Sequence, residues 1–580
     1  MSTMAGGFNP LLWNIAARQG WRRMRRRLRA GPAYRWRYSG RTPERLLLAP
    51  PDLRLADPQI AREIYHGRFL LSGHLVETGG ESPFLMDVEH YGWLEALHGF
   101  RWLRHLHAAE SDLAAANARA LVLDWITLHG RRISGIAWNP GITARRIIAW
   151  LQHSAIVLQG ADLPFYRLYL KILAIQIRYL RSVAREMPDG EERLRARIAL
   201  AFSSMSLPTP ASAMRTATRH LSTEIERQIL PDGGHISRNP SAIVELLADL
   251  LPLRQTYANQ AEPMPEALVS AVDRMLPALR FFRHQDGTLA RFNGMGITLH
   301  DRIAAVLRHD DTAGAPLFHA PYSGYERLAL GGTTVIADTG APPEAELSDM
   351  ANAGCLSFEM SSGRHQFVVN SGIDSFGDEA FRPLARATAA HSTATINDTS
   401  QARFALPAGW DEWIGTPLIG GPQNVTCQRI ENPGTQGFVA SHDGYAPRFS
   451  LIHERTIRLE NEGSLLQGSD VFRPANTETN PSAASIAIRF HLHPDIGLYR
   501  SDEGLLILTG EKTDTWVFAC DGEDPVVEES IFFASLAGPA RSRQIVLYFK
   551  TSERTEIQWQ FLRTSTILAR NGGSGSQGLI

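Results

Sequence analysis

The amino-acid sequence predicts an α+β protein in which a helical N-terminal half is followed by a C-terminal antiparallel β-sandwich. The chain has 580 residues, which is too long for a single hydrophobic core. Helical spacing of apolar residues dominates up to about residue 285, and short alternating runs between glycine turns dominate from Glu326 onward. We therefore predict a basic arm (1–50), a helical domain (51–315), a sandwich domain (316–565) and a flexible tail (566–580).

The helical half contains seven amphipathic stretches separated by short loops. The first, Arg101–His129, is rich in Leu and Ala at helical spacing and is followed by Gly130 as a stop. A later helix is expected to begin at Pro240, with Asn239 as its N-cap, and to run to about Tyr257. Helices of this length joined by short loops pack as antiparallel pairs, so we expect a ring or arc of αα-hairpins.

The C-terminal half reads as a series of β-hairpins. Arg327–Leu330 and Thr333–Ala337 flank a Gly-Gly turn, and Leu356–Met360 and Gln366–Val369 flank a Ser-Ser-Gly turn. Hairpin signals at this density are typical of an antiparallel sandwich and not of a parallel sheet.

The composition is that of an ordinary globular protein with a formal net charge of −1, so no global field favours nucleic acid as a partner. Only three of the 59 basic residues are lysines. Arginine presents a planar fork that matches carboxylates and sulfates, although a GC-rich genome would also explain the bias. The three cysteines are too widely spaced for a disulfide framework or a zinc motif.

The segment Trp13–Arg29 is strongly basic but lacks the apolar core and the cleavage site of a secretory signal. The sequence also contains no run of eighteen apolar residues, so we expect no membrane-spanning helix and a cytoplasmic location. Two interpretations of the arm stay open. It is either solvated or docked on its own domain, or it lies on the anionic inner-membrane surface with Trp13, Ile15 and Trp21 as anchors.

Several segments resemble the heparinase II/III-type polysaccharide lyases in order and content. They are residues 138–151 (WNPGITARRIIAWL), 229–251 (ILPDGGHISRNPSAIVELLADLL), 355–372 (CLSFEMSSGRHQFVVNSG) and 386–398 (RATAAHSTATIND). The resemblance implies an (α/α) toroid followed by the sandwich, and β-elimination on a uronic-acid-containing polysaccharide. An alternative is a non-catalytic glycan-binding or glycan-processing protein on the same scaffold.

The sequence departs from the family at the positions that the resemblance assigns to catalysis and metal binding. The family's H-x-H-x-D stretch falls on residues 350–354, where a family histidine becomes Met350 and a metal ligand becomes Asn352. A second ligand position is Asn370, and only His391 keeps its histidine. Two asparagines and one histidine are a poor zinc site, so we predict no structural zinc and no cofactor.

β-Elimination needs a group that neutralises the uronate carboxylate, a base that takes the adjacent proton and an acid that protonates the leaving oxygen. We predict His235, Asn239, Tyr325 and His391 as the catalytic candidates. The substrate-binding candidates are Arg238, Asn139, Arg145, Arg291, Asn293 and Asn352. Simpler interpretations stay open: a turn residue for Asn139, a helix cap for Asn239, a local ion pair for Arg238, packing for Tyr325, and an internally bonded strand histidine for His391.

Overall fold

The fold is given by a computed structural model that describes most of the chain. The described residues are 10–31, 36–260, 263–310, 314, 316–375, 379–405, 414–476, 483–510 and 514–564. The flexible tail predicted for residues 566–580 lies outside them.

The chain divides into two compact units. Unit 1 comprises residues 1–229, 244–276 and 301–313, and unit 2 comprises residues 230–243, 277–300 and 314–580. The last segment of unit 2 begins two residues before the predicted sandwich boundary at 316, but two earlier segments, which were predicted to be part of the helical domain, also belong to this unit.

The described part of unit 1 is helical, apart from one hairpin of β1 (Arg68–Leu71) and β2 (His74–Glu77). No helix in the described ranges is both long enough and apolar enough to cross a membrane. The helices up to residue 228 are α1 (Pro10–Ala30), α2 (Pro58–Tyr65), α3 (Tyr91–Gly99), α4 (Leu103–Ala108), α5 (Asp112–His129), α6 (Pro140–Gln152), α7 (Ser154–Leu158), α8 (Leu163–Val183), α9 (Glu191–Ser206) and α10 (Ala211–Gln228). Then α11 (Pro240–Asn259), α12 (Glu266–Phe281) and α13 (His300–Leu307) run across the division of the chain.

The helices of unit 1 pack against one another. Helix α9 packs against both α6 and α10, and α6 also contacts α3 and α8. The prediction of a single helix over Arg101–His129 is wrong, because the helix is interrupted between α4 and α5. At that break Glu110 has a positive φ of 43° and Ser111 caps α5 by accepting a hydrogen bond from Ala114 N.

Helix α1 docks on unit 1 through one face. Ile15 is buried, and the Arg29 guanidinium donates to Ser182 O and lies 2.7 Å from Glu186 Oε1. The proposed role of Ile15 as a membrane anchor is therefore wrong. Trp13 and Trp21, the other two proposed anchors, are 51% and 57% exposed.

Unit 2 is built from two large antiparallel sheets, which confirms the predicted sandwich. Its strands are β3 (His319–Ala320), β4 (Tyr325–Leu330), β5 (Thr333–Asp338), β6 (Phe358–Ser362), β7 (His365–Val369), β8 (Ala394–Ile396), β9 (Arg403–Phe404), β10 (Leu418–Gly420), β11 (Val425–Asn432), β12 (Thr435–His442), β13 (Leu451–Glu460), β14 (Leu465–Pro474), β15 (Ser485–Leu492), β16 (Gly497–Arg500), β17 (Leu506–Thr509), β18 (Thr515–Cys520), β19 (Val526–Phe532), β20 (Ala540–Lys550) and β21 (Glu556–Arg563).

The two sheets differ in strand order. One sheet has the order β11-β12-β13-β14-β21-β18-β17-β16, and the other has the order β19-β20-β15-β7-β6-β5-β4-β3, with β8 also paired to β15. The hairpins predicted around Gly331-Gly332 and around residues 361–363 form β4–β5 and β6–β7.

The core of unit 2 lies between these sheets. Phe358 and Phe490 from one sheet pack with Trp559 from the other; the Phe358 and Trp559 rings are stacked with centroids 5.5 Å apart. Inward side chains alternate with outward ones along β13, as an antiparallel sheet with one buried face requires. Of the candidate residues, Tyr325 lies on a strand of this framework, and Asn352 and His391 lie on loops between its strands.

Candidate functional site

Arg238 is held inside unit 2 by hydrogen bonds from all three guanidinium nitrogens. Nε donates to Ser323 O at 2.7 Å, and Nη1 donates to Ala341 O at 2.8 Å. Nη2 donates to Gly324 O at 2.9 Å and to Asp338 Oδ1 at 2.6 Å. The side chain, predicted to bind substrate, thus ties its loop to the end of β5.

Tyr325, Asn293 and Asp338 form a polar cluster against Arg238. The fully buried Tyr325 hydroxyl donates to Arg238 O at 2.6 Å and accepts from Asn293 Nδ2 at 2.7 Å. Asn293 Nδ2 also donates to Asp338 Oδ2 at 3.2 Å, and the Arg238 guanidinium lies over the Tyr325 ring. Burial raises the pKa of Tyr325 well above its usual value. This geometry suits a hydroxyl that holds the cluster together. It is less suited to a hydroxyl that exchanges protons with a polymer.

His235 and Asn239 lie in the same loop as Arg238. The buried His235 ring accepts a hydrogen bond at Nδ1 from Ser237 N, 3.1 Å away. Asn239 Oδ1 accepts from Ser241 N at 2.9 Å and so caps α11, as its position before Pro240 predicts.

Asn352 lines a small cavity in unit 2, and His391 packs against Gly354 in the wall of that cavity. The cavity has a volume of about 10 Å³, and its lining includes Arg238, Asn352 and Gly354. A Cβ on Gly354 would lie 2.8 Å from His391 Cδ2, which places the histidine ring against the same loop. Burial lowers the pKa of His391 to about 4, so the ring is neutral at pH 7, and Nδ1 donates to Ala387 O at 2.8 Å. Arg238, Asn293, Tyr325 and Asn352 thus share one neighbourhood, with His391 at its edge.

Arg291 lies in unit 2 beside a buried carboxylate that the sequence analysis did not single out. Its Nη1 donates to Gln366 Oε1 at 2.6 Å and lies 3.4 Å from Glu359 Oε2. Glu359 also pairs with His284 Nε2 at 3.0 Å. Burial raises the pKa of Glu359, but Arg291 and His284 outweigh that effect and leave it below its usual value. Glu359 lies within the quoted LSFE segment, where the only charged residue of the strand β6 was the available signal.

Asn139 and Arg145 belong to unit 1. Asn139 Oδ1 accepts from Gly141 N at 3.0 Å and caps α6. Arg145 donates to Glu95 and, at 2.6 Å, to Glu192 Oε1. The guanidinium predicted to bind substrate is therefore already neutralised by two carboxylates of the chain itself.

Glu192 is the outer end of a buried ion-pair network in unit 1. Arg195 links Glu192 (2.6 Å) to Asp249 (3.0 Å), and Asp249 also pairs with Arg54 at 2.6 Å. Burial raises the pKa of Asp249, but Arg54, Arg101 and Arg195 outweigh it and leave the pKa below its usual value. We did not predict this network, because its members are far apart in the sequence.

Comparison with known proteins identifies the family. A model of the heparinase II/III-like C-terminal domain matches residues 312–560. Over 533 residues the chain is 32% identical to the FtsZ-localized protein C of Caulobacter vibrioides (strain NA1000 / CB15N), with 89% of each chain covered. This chain belongs to the heparinase II/III-like family.

Solved structures agree with that assignment at the level of the fold. A crystal structure of heparinase III matches with a TM-score of 0.69 at 13% identity, covering 92% of this chain and 89% of the other. A mutant of the heparan sulfate lyase HepC from Pedobacter heparinus matches with a TM-score of 0.59 at 15% identity, covering 92% and 87%. The predicted resemblance and the predicted two-part α+β fold are both confirmed.

The metal that the heparinase II/III-like resemblance implies does not fit the residues present here. Asn370 Oδ1 accepts from Ser392 N at 3.0 Å, so the amide turns its NH₂ group, which has no lone pair for a metal, toward the remaining space. Among the described residues, no three His, Cys, Asp or Glu side chains are grouped so that they could hold a metal ion. A neutral His391 and two amides lack the anionic or multiple imidazole ligands that zinc prefers.

Proposed function

We propose that this chain is a non-catalytic member of the heparinase II/III-like family that binds acidic glycans without cleaving them. The observation that carries the proposal is the burial of the catalytic candidates. His235, Tyr325 and His391 are at most 1% exposed, and Asn239 is 9% exposed. A polymer must reach its acid and base directly, so buried groups with internal hydrogen bonds are poorly placed for β-elimination.

The hydrogen bonds of these groups support the same proposal. The Tyr325 hydroxyl donates to a backbone carbonyl, whereas a base must accept the substrate proton. The Arg238 and Arg145 guanidiniums, which would neutralise a uronate carboxylate, are paired with Asp338, and with Glu95 and Glu192. A substrate carboxylate would have to displace these partners, which weakens the electrostatic stabilisation that elimination requires.

The proposed ligand class rests on the fold and on composition. The matched structures are named for heparinase III and for a heparan sulfate lyase, and both names refer to acidic glycans as the substrates of those proteins. The many arginines here present forks suited to carboxylates and sulfates. Binding would then use exposed arginines and not the buried set.

The test is to incubate the full chain with a panel of uronate polysaccharides and to measure both binding and ultraviolet absorbance of the unsaturated uronic product. We expect binding to at least one acidic polysaccharide, weakened by added salt, with no chromophore formed. Appearance of the chromophore would overturn the proposal and favour a lyase. Binding to a neutral glucan as tightly as to the acidic polymers would contradict the ligand class.

A second function, contact with an anionic membrane surface, is favoured by the exposed face of α1. Trp13, Trp21, Met24 and Leu28 are all exposed, and their spacing places them on one side of the helix. Arginines flank this stripe, with Arg25 paired to Glu186 at 3.2 Å on the docked side. An apolar stripe bordered by arginine is the pattern of helices that lie in the membrane interface.

Co-sedimentation with vesicles tests this contact. We expect the full chain to bind vesicles that contain anionic lipid better than vesicles of neutral lipid, and Trp13→Ser/Trp21→Ser to lose most of that binding. The matched control is Leu113→Ser/Leu163→Ser, which removes two equally exposed apolar side chains of unit 1 outside α1. Equal losses in both variants would contradict a specific role for α1.

The name of the Caulobacter relative adds a cellular location to the proposal. That protein is described as FtsZ-localized, and we extend this location to the present chain. When FtsZ polymers are added to the vesicle assay, we expect them to bind anionic vesicles only if this chain is also present. No increase in vesicle-bound FtsZ would contradict the extension while leaving the membrane contact intact.

A further inference from the structure

Arg197, on α9 in unit 1, is a buried arginine whose charge is only partly paired. It is 6% exposed, and its Nε has no hydrogen-bond partner among the described residues. In the same ranges its ion pair is long, at 3.9 Å from Nε to Glu224 Oε2. That carboxylate oxygen accepts a shorter hydrogen bond from Arg193 Nε, at 2.8 Å. A buried cation without a close counter-charge is costly, so Arg197 is a candidate partner for an anion from outside the protein.

Three further basic side chains gather around Arg197. Helix α10, which packs against α9, carries Arg219 and His220, and the short 3₁₀ helix after α8 carries Arg185. Burial lowers the pKa of His220, and the charges of Arg197, Arg219 and Arg185 lower it further, so these groups lie close enough to repel one another. Arg185 and Arg219 are exposed and His220 is half-buried. These four residues, here called the basic cluster, therefore run from the surface into unit 1.

A neighbouring carboxylate, Asp189, does not neutralise the basic cluster. It pairs with Arg193 at 2.9 Å and with Arg227. In the described part of the chain, Arg185 and Arg219 take part in no ion pair. The cluster therefore carries an excess of positive charge, which a bound anion would balance.

Helix α1 docks next to the basic cluster. Glu186, the residue after Arg185, lies 3.2 Å from Arg25 Nε and 2.7 Å from Arg29 Nη2. Trp21, on the exposed stripe of α1, precedes Arg25 by about one helical turn. If this stripe lies in the membrane interface, the basic cluster is close to the layer of lipid headgroups.

We propose that the basic cluster of unit 1 binds the phosphate group of an anionic lipid. Guanidinium forks match phosphate oxygens, and the excess positive charge favours a headgroup with a net negative charge. A choline headgroup would place its own cation among these arginines and is disfavoured. The inference rests on the membrane contact proposed for α1, and it adds the headgroup that the adjoining surface recognises.

Short-chain phosphatidylglycerol, below the concentration at which it forms micelles, tests the site without a membrane. We expect the full chain to bind it, in isothermal titration calorimetry, at least about tenfold more tightly than Arg185→Gln/Arg219→Gln does. The matched control is Arg131→Gln/Arg132→Gln, which removes two exposed arginines of unit 1 outside the cluster and should bind like the natural chain. Equal affinities for all three proteins, or no binding, would overturn the proposal. Inorganic phosphate that binds as tightly as the lipid would overturn the lipid as ligand in favour of a free anion.

Vesicles separate this proposal from the membrane contact of α1. We expect Arg185→Gln/Arg219→Gln to weaken binding to phosphatidylglycerol vesicles by about tenfold, and the control variant to leave it unchanged. If the natural chain binds the vesicles and the cluster variant binds them equally well, the headgroup site is overturned and the contact of α1 stands. If the natural chain binds the short-chain lipid at the cluster but not the vesicles, the contact of α1 fails and the site stands. A cluster variant that loses binding to heparin but not to lipid would assign the site to an acidic glycan and overturn the proposal.

Discussion

Two buried polar regions, one in each unit, differ in how far their side chains are paired. In unit 1 the charged side chains are paired: Asp249 contacts Arg54 and Arg195, and Arg195 continues to Glu192. In unit 2 the residues around Gly354 are neutral, and several of their polar atoms have no partner among the described side chains and backbone. Removing one member of a buried ion pair lowers stability, because the other charge is left without a partner, whereas removing an unpaired neutral amide leaves no such group behind. Whether a buried side chain has a partner therefore decides its contribution to stability more than its residue type does.

The largest expected effect comes from breaking the paired side of this comparison. Asp249→Ala leaves the buried Arg195 and the nearly buried Arg54 without their shared carboxylate, and we expect a loss of about 3–5 kcal/mol in the free energy of unfolding. Urea denaturation of the full chain, followed by circular dichroism, measures this loss. Asp249→Asn is the matched control: it keeps the volume and one acceptor and should lose less. A loss below about 1 kcal/mol for the alanine variant would show that the network is dispensable.

Much of the fold could be predicted because local patterns report it. Asn239 before Pro240 marks the start of α11, and Gly331-Gly332 marks the β4–β5 turn. The break within residues 101–129 could not be predicted in the same way. It depends on a positive φ at Glu110, a residue type with no preference for that conformation.

The candidate site was harder to predict, because its partners are distant in the sequence. The sequence indicated Arg238 and Tyr325, which do lie together, but Arg238 is bonded to Asp338, 100 residues away, and to backbone carbonyls. Arg145 pairs with Glu192 across 47 residues. Motif spacing identifies candidate residues, but only the folded chain shows which of their side chains are already bonded to other groups of the protein.

An intermediate effect is expected at Glu191, whose charge is unfavourable in the folded state. Burial raises the pKa of this carboxyl to about 7, with Arg195 opposing the shift and Glu192 adding to it. The folded state then holds a proton that the unfolded state releases, so this group lowers stability as pH rises from about 4.5 to 7. Glu191→Gln should remove that pH dependence and make the protein more stable at pH 8 by about 1–2 kcal/mol, as measured by urea denaturation at several pH values.

The neighbouring carboxyl provides the control for Glu191. Burial raises the pKa of Glu192, but Arg145 and Arg195 outweigh it and leave the pKa below its usual value. Its contribution is therefore present above the unfolded pKa and is lost as pH falls. Glu192→Gln should destabilise the protein at pH 8, with a sign opposite to that of Glu191→Gln. The same sign for both variants would show that the two carboxyls do not differ in their pairing.

The smallest effect is expected at Asn352, on the unpaired side of the comparison. Asn352→Ala removes a side-chain amide with no protein partner in the described ranges and leaves no other group unpaired, so the loss should stay below about 1 kcal/mol. Asn370→Ala is the matched control, because it leaves the buried Ser392 N–H without its acceptor and should cost about 1–3 kcal/mol. Urea denaturation of both variants measures the difference. If Asn352→Ala cost as much as Asn370→Ala, the Asn352 amide would have to be as firmly bonded as its neighbour, and the contrast between the two regions would be reduced to one of charge alone.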